Sequence, residues 1–320
     1  MKVNYRKYFY KVISLLIKMV IFIFSIYYIW QKVSVANNTV EFSGFFEGAD
    51  KSCLCLACFL LFINWGLEAV KWKILVSKFE KISFLKSLSS VFSGVTISIF
   101  TPNRVGEFAG RVFYLEKADK IQATIASMVG GALQMLITII AGVSGYYILE
   151  SRYEDYFRTS EFVSANVVWL LLFCFVLFVS ILVFIYRKRN KYFKKYKKYI
   201  EVLTLYSKAE LVVLFLLSLI RYSVFSFQYY LVLKLFGVNA GTTIFFSLIA
   251  LTFFVTSVIP TVALSEIAVR GATAVYFFSP LYPHSSSIVA ASLLLWFINL
   301  AFPALIGGIF IWKLKFFKES

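Results

Sequence analysis

Charge is scarce in this chain. Only 15% of its 320 residues are Asp, Glu, Lys or Arg, whereas 60% are hydrophobic, and the mean hydropathy is +0.80. A soluble fold cannot hide so much apolar surface behind so few charges. A soluble domain is therefore excluded, and a polytopic membrane protein is indicated. Acidic residues are the scarcer kind, 16 against 33 basic. The net charge of +17 does not point to nucleic acid, because the basic residues sit between apolar runs, where cytoplasmic loops of membrane proteins carry them. Histidine is nearly absent, and the single His284 lies in a polar loop with no evident chemical partner. Cysteine is limited to four residues. Three of them, Cys53, Cys55 and Cys58, share one apolar run and read as buried apolar side chains. Metal sites need converging ligands with a polar surround, and none is visible. The reading is therefore no metal, no cofactor and no catalytic set.

Apolar runs are what the chain has in abundance. Val12 to Trp30 reads as an uncleaved first span, since it is too long for a signal-peptide core and no small-residue cleavage site follows. Further spans are expected at about Cys53–Val70, Ile121–Leu149, Val163–Tyr186, Leu211–Phe236 and Ser286–Trp312. Two other apolar segments, Leu88–Phe100 and Thr243–Ile259, are too short to cross a hydrocarbon core of about 30 Å. Each ends at a proline, Pro102 or Pro260, and each is followed by a short return helix, Glu107–Leu115 or Glu266–Phe278. Gly106 allows the turn after the first break. The expected fold is therefore all-α and polytopic, with about six full spans plus two re-entrant helical hairpins. With that topology, 23 basic residues fall on one side of the membrane and 5 on the other. This puts the N- and C-termini in the cytoplasm and the chain in the inner membrane.

The two hairpins carry the same charged pattern. Glu107-Phe108-Ala109-Gly110-Arg111 and Glu266-Ile267-Ala268-Val269-Arg270 both follow a proline break. The segments Asn64–Gly145 and Arg221–Phe310 can be laid over each other with small gaps. Phe79 then falls on Phe236, Ala126-Ser127 on Ala291-Ser292, Gln134 on Asn299 and Gly142 on Gly307. Three crossings separate the segments, so the second is upside down relative to the first. Inverted repeats whose broken helices meet at mid-membrane are a transporter architecture. The expected organisation is one integral membrane domain, 1–320: a first span and outer loop (12–51), repeat one (53–149), a connecting span and basic loop (163–208) and repeat two (211–312).

Each Glu–Arg pair is spaced i, i+4, so each could simply neutralise itself. Against that stands the cost of a charge at membrane depth, roughly 2.5–3.5 kcal/mol on insertion scales. Arg104, Glu107, Arg111, Glu266 and Arg270 crowd two breaks, with Arg221 and Glu68 as further members. Arginines exceed carboxylates at the breaks, and that suits an anionic group such as a lipid phosphate.

The run Thr101-Pro102-Asn103-Arg104-Val105-Gly106-Glu107 resembles the Pro-x-Arg-x-Gly-Glu signature of the transmembrane region of lysylphosphatidylglycerol synthases. This is the flippase-like domain also found in the multiple peptide resistance factor. The family's second, glycine-rich signature is here Pro260-Thr261-Val262-Ala263-Leu264-Ser265-Glu266, without the glycines. The resemblance spans about residues 12–312. It implies a translocase-like fold acting on an anionic phospholipid or a polyprenyl-phosphate type of lipid, while the aminoacyl-transferring domain of the full synthases is not expected here. The expected partner is membrane lipid rather than nucleic acid, with association into a homo-oligomer left open. The alternatives are an intramembrane enzyme using Glu107 and Glu266 as an acid–base pair, and a small-anion transporter on the same scaffold.

Overall fold

The computed structural model describes residues 51–99, 101, 104–152, 199, 201–259, 261 and 263–312. The expected first and fourth spans, the basic run 187–198, and both break prolines, Pro102 and Pro260, lie outside the described residues. Within them the fold is all helical. The helices are α1 (Lys51–Val76), α2 (Phe84–Ile99), α3 (Gly106–Val112), α4 (Lys120–Arg152), α5 (Lys208–Leu235), α6 (Thr242–Val258), α7 (Ala263–Phe278), α8 (Ser285–Trp296) and α9 (Phe302–Trp312). A π-helical turn, Phe297–Ala301, joins α8 to α9 into one rod. Four of the described stretches are long and apolar enough to cross a membrane: Lys51–Val76, Lys120–Ser151, Lys208–Leu235 and Ser285–Phe310. Helices α2 and α6, of 16 and 17 residues, reach only about 24–26 Å.

Local chemistry sets the ends of α5. Ser207 and Glu210 form a reciprocal capping box, with Glu210 N–H donating to Ser207 Oγ at 3.3 Å and Ser207 N–H to Glu210 Oε2 at 2.8 Å. At the other end Gly237 takes φ +75°. That left-handed residue lets Gly237 N–H reach Lys234 O at 3.0 Å and Val238 N–H reach Leu233 O at 3.1 Å, which closes the last turn.

Small residues bring the helices together, as expected where lipid supplies no hydrophobic drive. Helix α3 doubles back along α2: Gly106 lies on Ile97, Gly110 on Gly94, and the Arg111 carbonyl accepts from Ser90 Oγ at 2.7 Å. Helix α1 packs on α5, α4 on α6, and α9 on α2. At the last two contacts a glycine meets its neighbour with no room for a Cβ: Gly142 against Phe254, and Gly307 against the Phe92 carbonyl. Serines spaced three apart on α2 complete the α1 contact, with Ser87 Oγ donating to Ala69 O at 2.6 Å and Trp72 Nε1 donating to Ser90 Oγ at 2.9 Å.

Three sequence expectations are corrected. Lys71 does not belong to a loop: α1 continues to Val76, and Lys71 is 1% exposed. The first return helix covers Gly106–Val112 rather than Glu107–Leu115. Of the three cysteines in α1 only Cys53 is buried; Cys55 and Cys58 are exposed on an apolar helix face.

A candidate anion site among buried ion pairs

Helix α1 carries Glu68 and Lys71 one turn apart on its buried face, where Lys71 Nζ lies 2.8 Å from Glu68 Oε2. The other oxygen, Glu68 Oε1, accepts from an Arg111 NH group at 2.6 Å. Arg111 is only 2% exposed and also binds Glu107, its i, i−4 neighbour on α3. Helix α5 brings Arg221 to the same carboxylate, 3.2 Å from Glu68 Oε2. Glu68 thus serves three cations. A buried carboxylate with that many partners is stable only because every charge is met, and removing one partner leaves the others unpaired in a low-dielectric setting.

The chain of charges continues into the second half through Arg104. Its guanidinium lies 3.3 Å from Glu107 Oε2 and 4.0 Å from Glu266 Oε1. Arg104 adopts φ +56°, a left-handed conformation that a non-glycine residue enters at a cost of about 1–2 kcal/mol. The turn is held by Thr101, whose Oγ1 accepts from Gly106 N–H at 2.9 Å. Glu266, at the start of α7, binds Arg270 one turn later, with Nε at 2.9 Å and an NH group at 2.8 Å. Seven of the eight charged groups follow in one line: Lys71, Glu68, Arg111, Glu107, Arg104, Glu266, Arg270. Arg221 branches from Glu68.

Beside this line lies a cavity of about 220 Å³. Arg104, Arg221, Glu266 and Arg270 line it, together with Asn64, Gln134, Asn299 and the aromatic walls Trp65, Tyr222, Phe253 and Trp296. The Arg221 guanidinium stacks over Trp65 at 5.4 Å from the ring centre. Two hydrogen bonds from opposite sides brace the polar lining: Asn64 Nδ2 donates to Asn299 Oδ1 at 3.1 Å, and Arg221 NH1 donates to Gln134 Oε1 at 3.4 Å. Asn299 Nδ2 in turn donates to Gln228 Oε1 at 2.9 Å.

All seven charged residues singled out from sequence fall in this one network, with Gly106 at the foot of α3 beside it. They divide into two kinds. Arg104, Arg221, Glu266 and Arg270 face the cavity. Glu68, Glu107 and Arg111 stand behind them and do not line it. Sequence reasoning missed Lys71, Asn64 and Gln228. A signal for Lys71 was present: it stands three residues after Glu68, inside the stretch Trp65–Trp72, where both charges share a helix face with tryptophans. No group of three or more His, Cys, Asp or Glu residues able to hold a metal occurs among the described residues.

Long apolar helices wrapped around a buried line of ion pairs define a polytopic helical membrane protein. Residues 13–307 match the family model described as Lysylphosphatidylglycerol synthase TM region, so the chain belongs to that family. A comparison with curated proteins finds no match.

Proposed function

We propose that the chain is a flippase-like translocase that carries a lipid with an anionic headgroup across the inner membrane. The observation that carries this reading is the cavity wall. Three arginines and one glutamate line a cavity bordered by all four helical stretches that are long and apolar enough to cross a membrane. Arginine offers planar, paired donors suited to phosphate oxygens. Arg104, Arg221 and Arg270 hold the headgroup, and Glu266 orients two of them. Arg111, Glu68, Glu107 and Lys71 form the fixed base on which the arginines rest.

The proposed architecture is the six-span inverted repeat with two re-entrant hairpins and cytoplasmic termini. Several mirrored features support it. Short helices α2 and α6 occupy the same place in the order of elements, each followed by a break and a return helix. If the first unit maps onto the second, the contact of α4 with α6 corresponds to that of α9 with α2. The bond from Asn64 to Asn299 likewise corresponds to that between Arg221 and Gln134, and the tight glycines Gly142 and Gly307 correspond to each other. Rocking of one unit against the other would open the cavity alternately to each leaflet. The acid–base alternative draws less support, because arginines hold both Glu107 and Glu266.

The test is purified protein in liposomes carrying fluorescent phospholipids. Anionic lipids should redistribute between leaflets faster than in protein-free liposomes, and Arg270→Gln should abolish the gain. Redistribution equal to empty liposomes for every anionic lipid overturns the reading.

A further inference from the structure

Resting on the lipid-translocase reading, the charge count narrows the headgroup. Among the described residues the charged groups lining the cavity are Arg104, Arg221, Arg270 and Glu266. Three positive charges against one negative leave a surplus of two. The groups behind the wall change nothing, because Lys71 and Arg111 are matched by Glu68 and Glu107. Uncompensated charge at membrane depth is costly, so a ligand supplying two negative charges neutralises the site and one supplying a single charge does not.

The Nε–H groups of Arg104 and Arg221 and the indole N–H groups of Trp65 and Trp296 are buried without a hydrogen-bond partner among the described residues. Trp65 is only 3% exposed. A volume near 220 Å³ is below the range of roughly 300–1,000 Å³ for drug-sized ligands, which suits a compact group.

A place for a hydrocarbon chain adjoins it. An open apolar groove of about 350 Å³ runs over α7 and α8, lined by Ile267, Leu293, Leu294, Phe297 and Trp296. Trp296 walls both spaces. The π-helical turn starts at Phe297, and it sets Phe297 on the groove and Asn299 on the cavity. Such turns recur at functional sites.

We infer that this site takes a lipid ending in a phosphate monoester, its dianionic phosphate among Arg104, Arg221 and Arg270 and its hydrocarbon chain in the groove beside Trp296. A phosphodiester headgroup, with one charge, is the poorer fit. A phosphate monoester carries about −1.5 to −2 charges near neutral pH and three terminal oxygens for the guanidinium groups that line the cavity.

The experiment is retention of radiolabelled phosphatidic acid by the detergent-solubilised full chain. The competitors are unlabelled phosphatidic acid, phosphatidylglycerol with the same acyl chains, phosphatidylcholine and inorganic phosphate. Phosphatidic acid should compete at a concentration at least about tenfold lower than phosphatidylglycerol, equivalent to about 1.4 kcal/mol. Inorganic phosphate should compete only at far higher concentration. Leu293→Trp, which fills the exposed groove, should weaken phosphatidic acid and leave inorganic phosphate unchanged. Equal or better competition by phosphatidylglycerol overturns the dianion inference while the anionic-lipid reading stands. Inorganic phosphate matching phosphatidic acid overturns the chain-in-groove part and assigns the site to the free ion. Retention of neither phosphatidic acid nor phosphatidylglycerol, each offered in radiolabelled form, overturns both readings.

Discussion

The same five-residue motif has two different fates in this molecule. Arg111 is sealed into the bundle, clasped between two carboxylates at 2% exposure, while its partner Glu107 keeps a side chain 16% exposed. Glu266 and Arg270 repeat the spacing, yet Arg270 finds one carboxylate and its side chain remains 23% exposed on the cavity. The difference traces to two positions on the helices behind them. Laying Asn64 over Arg221 and Phe79 over Phe236 sets Glu68 opposite Phe225 and Lys71 opposite Gln228. The first half has a carboxylate where the second has an aromatic ring. Arg111 is thereby held by two carboxylates and Arg270 by one. One motif can be buried scaffold or cavity wall, and its neighbour on the next helix decides which.

The comparison breaks most severely at Glu68. Glu68→Gln leaves Lys71, Arg111 and Arg221 without their shared counter-charge. A loss on the order of 3–5 kcal/mol is expected, visible as a collapse in folded yield or a large drop in melting temperature in detergent. Unchanged melting would remove the claim that the first half is scaffold. The next effect separates the two arginines. Arg111→Gln should cost about 3 kcal/mol or more in stability. Arg270→Gln should cost less than Arg111→Gln in stability, because Arg270 meets one carboxylate and is 23% exposed, while abolishing anionic-lipid movement, so melting and liposome assays should rank the two variants in opposite order. A smaller change sharpens the contrast: Phe225→Glu gives the second half the carboxylate it lacks. Lipid movement should fall by about tenfold as that charge competes for the cavity arginines, with a modest loss from the broken stack on Phe253 (4.7 Å between ring centres).

The smallest effect lies outside the charged layer and serves as its control. Glu80, in the connection between α1 and α2, is partly buried, which alone would raise its carboxyl. The N–H groups of Lys117, Ala118 and Glu116 and the Lys86 ammonium outweigh that and hold it below its ordinary value. Its contribution to stability is therefore full above the ordinary carboxylate range and is lost as pH falls through the lowered value. The melting difference between wild type and Glu80→Gln should be constant from pH 6 to 8 and shrink below about pH 4. Lipid movement at neutral pH should not change.

Much of this arrangement was legible in the sequence. The short apolar segments and their return helices follow from hydropathy length and from glycine and proline placement, and α2, α6 and α7 fall within a few residues of expectation. The charged residues were legible because charge in apolar sequence is conspicuous. Their division into scaffold and cavity wall was not, because it depends on which helix stands behind each motif. The pairing of Asn64 with Asn299 spans 235 positions, and no local pattern encodes it. Lys71 was misread for a definable reason: it opens a run of lysines, and the count that orients loops treats every lysine alike. The π-helical turn at 297–301 has no marker in Ala-Ser-Leu-Leu-Leu-Trp-Phe-Ile-Asn-Leu.

Arg104 has a consequence for turnover. It stands between Glu107 at 3.3 Å and Glu266 at 4.0 Å, and the longer of these is the weakest step in the line of charges. If the proposed function holds, an arriving phosphate would compete with Glu266 for that guanidinium, and a departing one would be replaced by it. Loading and unloading would then proceed by exchange of one anion for another, without an interval in which the arginine is bare. On that proposal the resident carboxylate would lower affinity and, in the same act, lower the barrier to release, which suits a carrier that must let go as often as it binds.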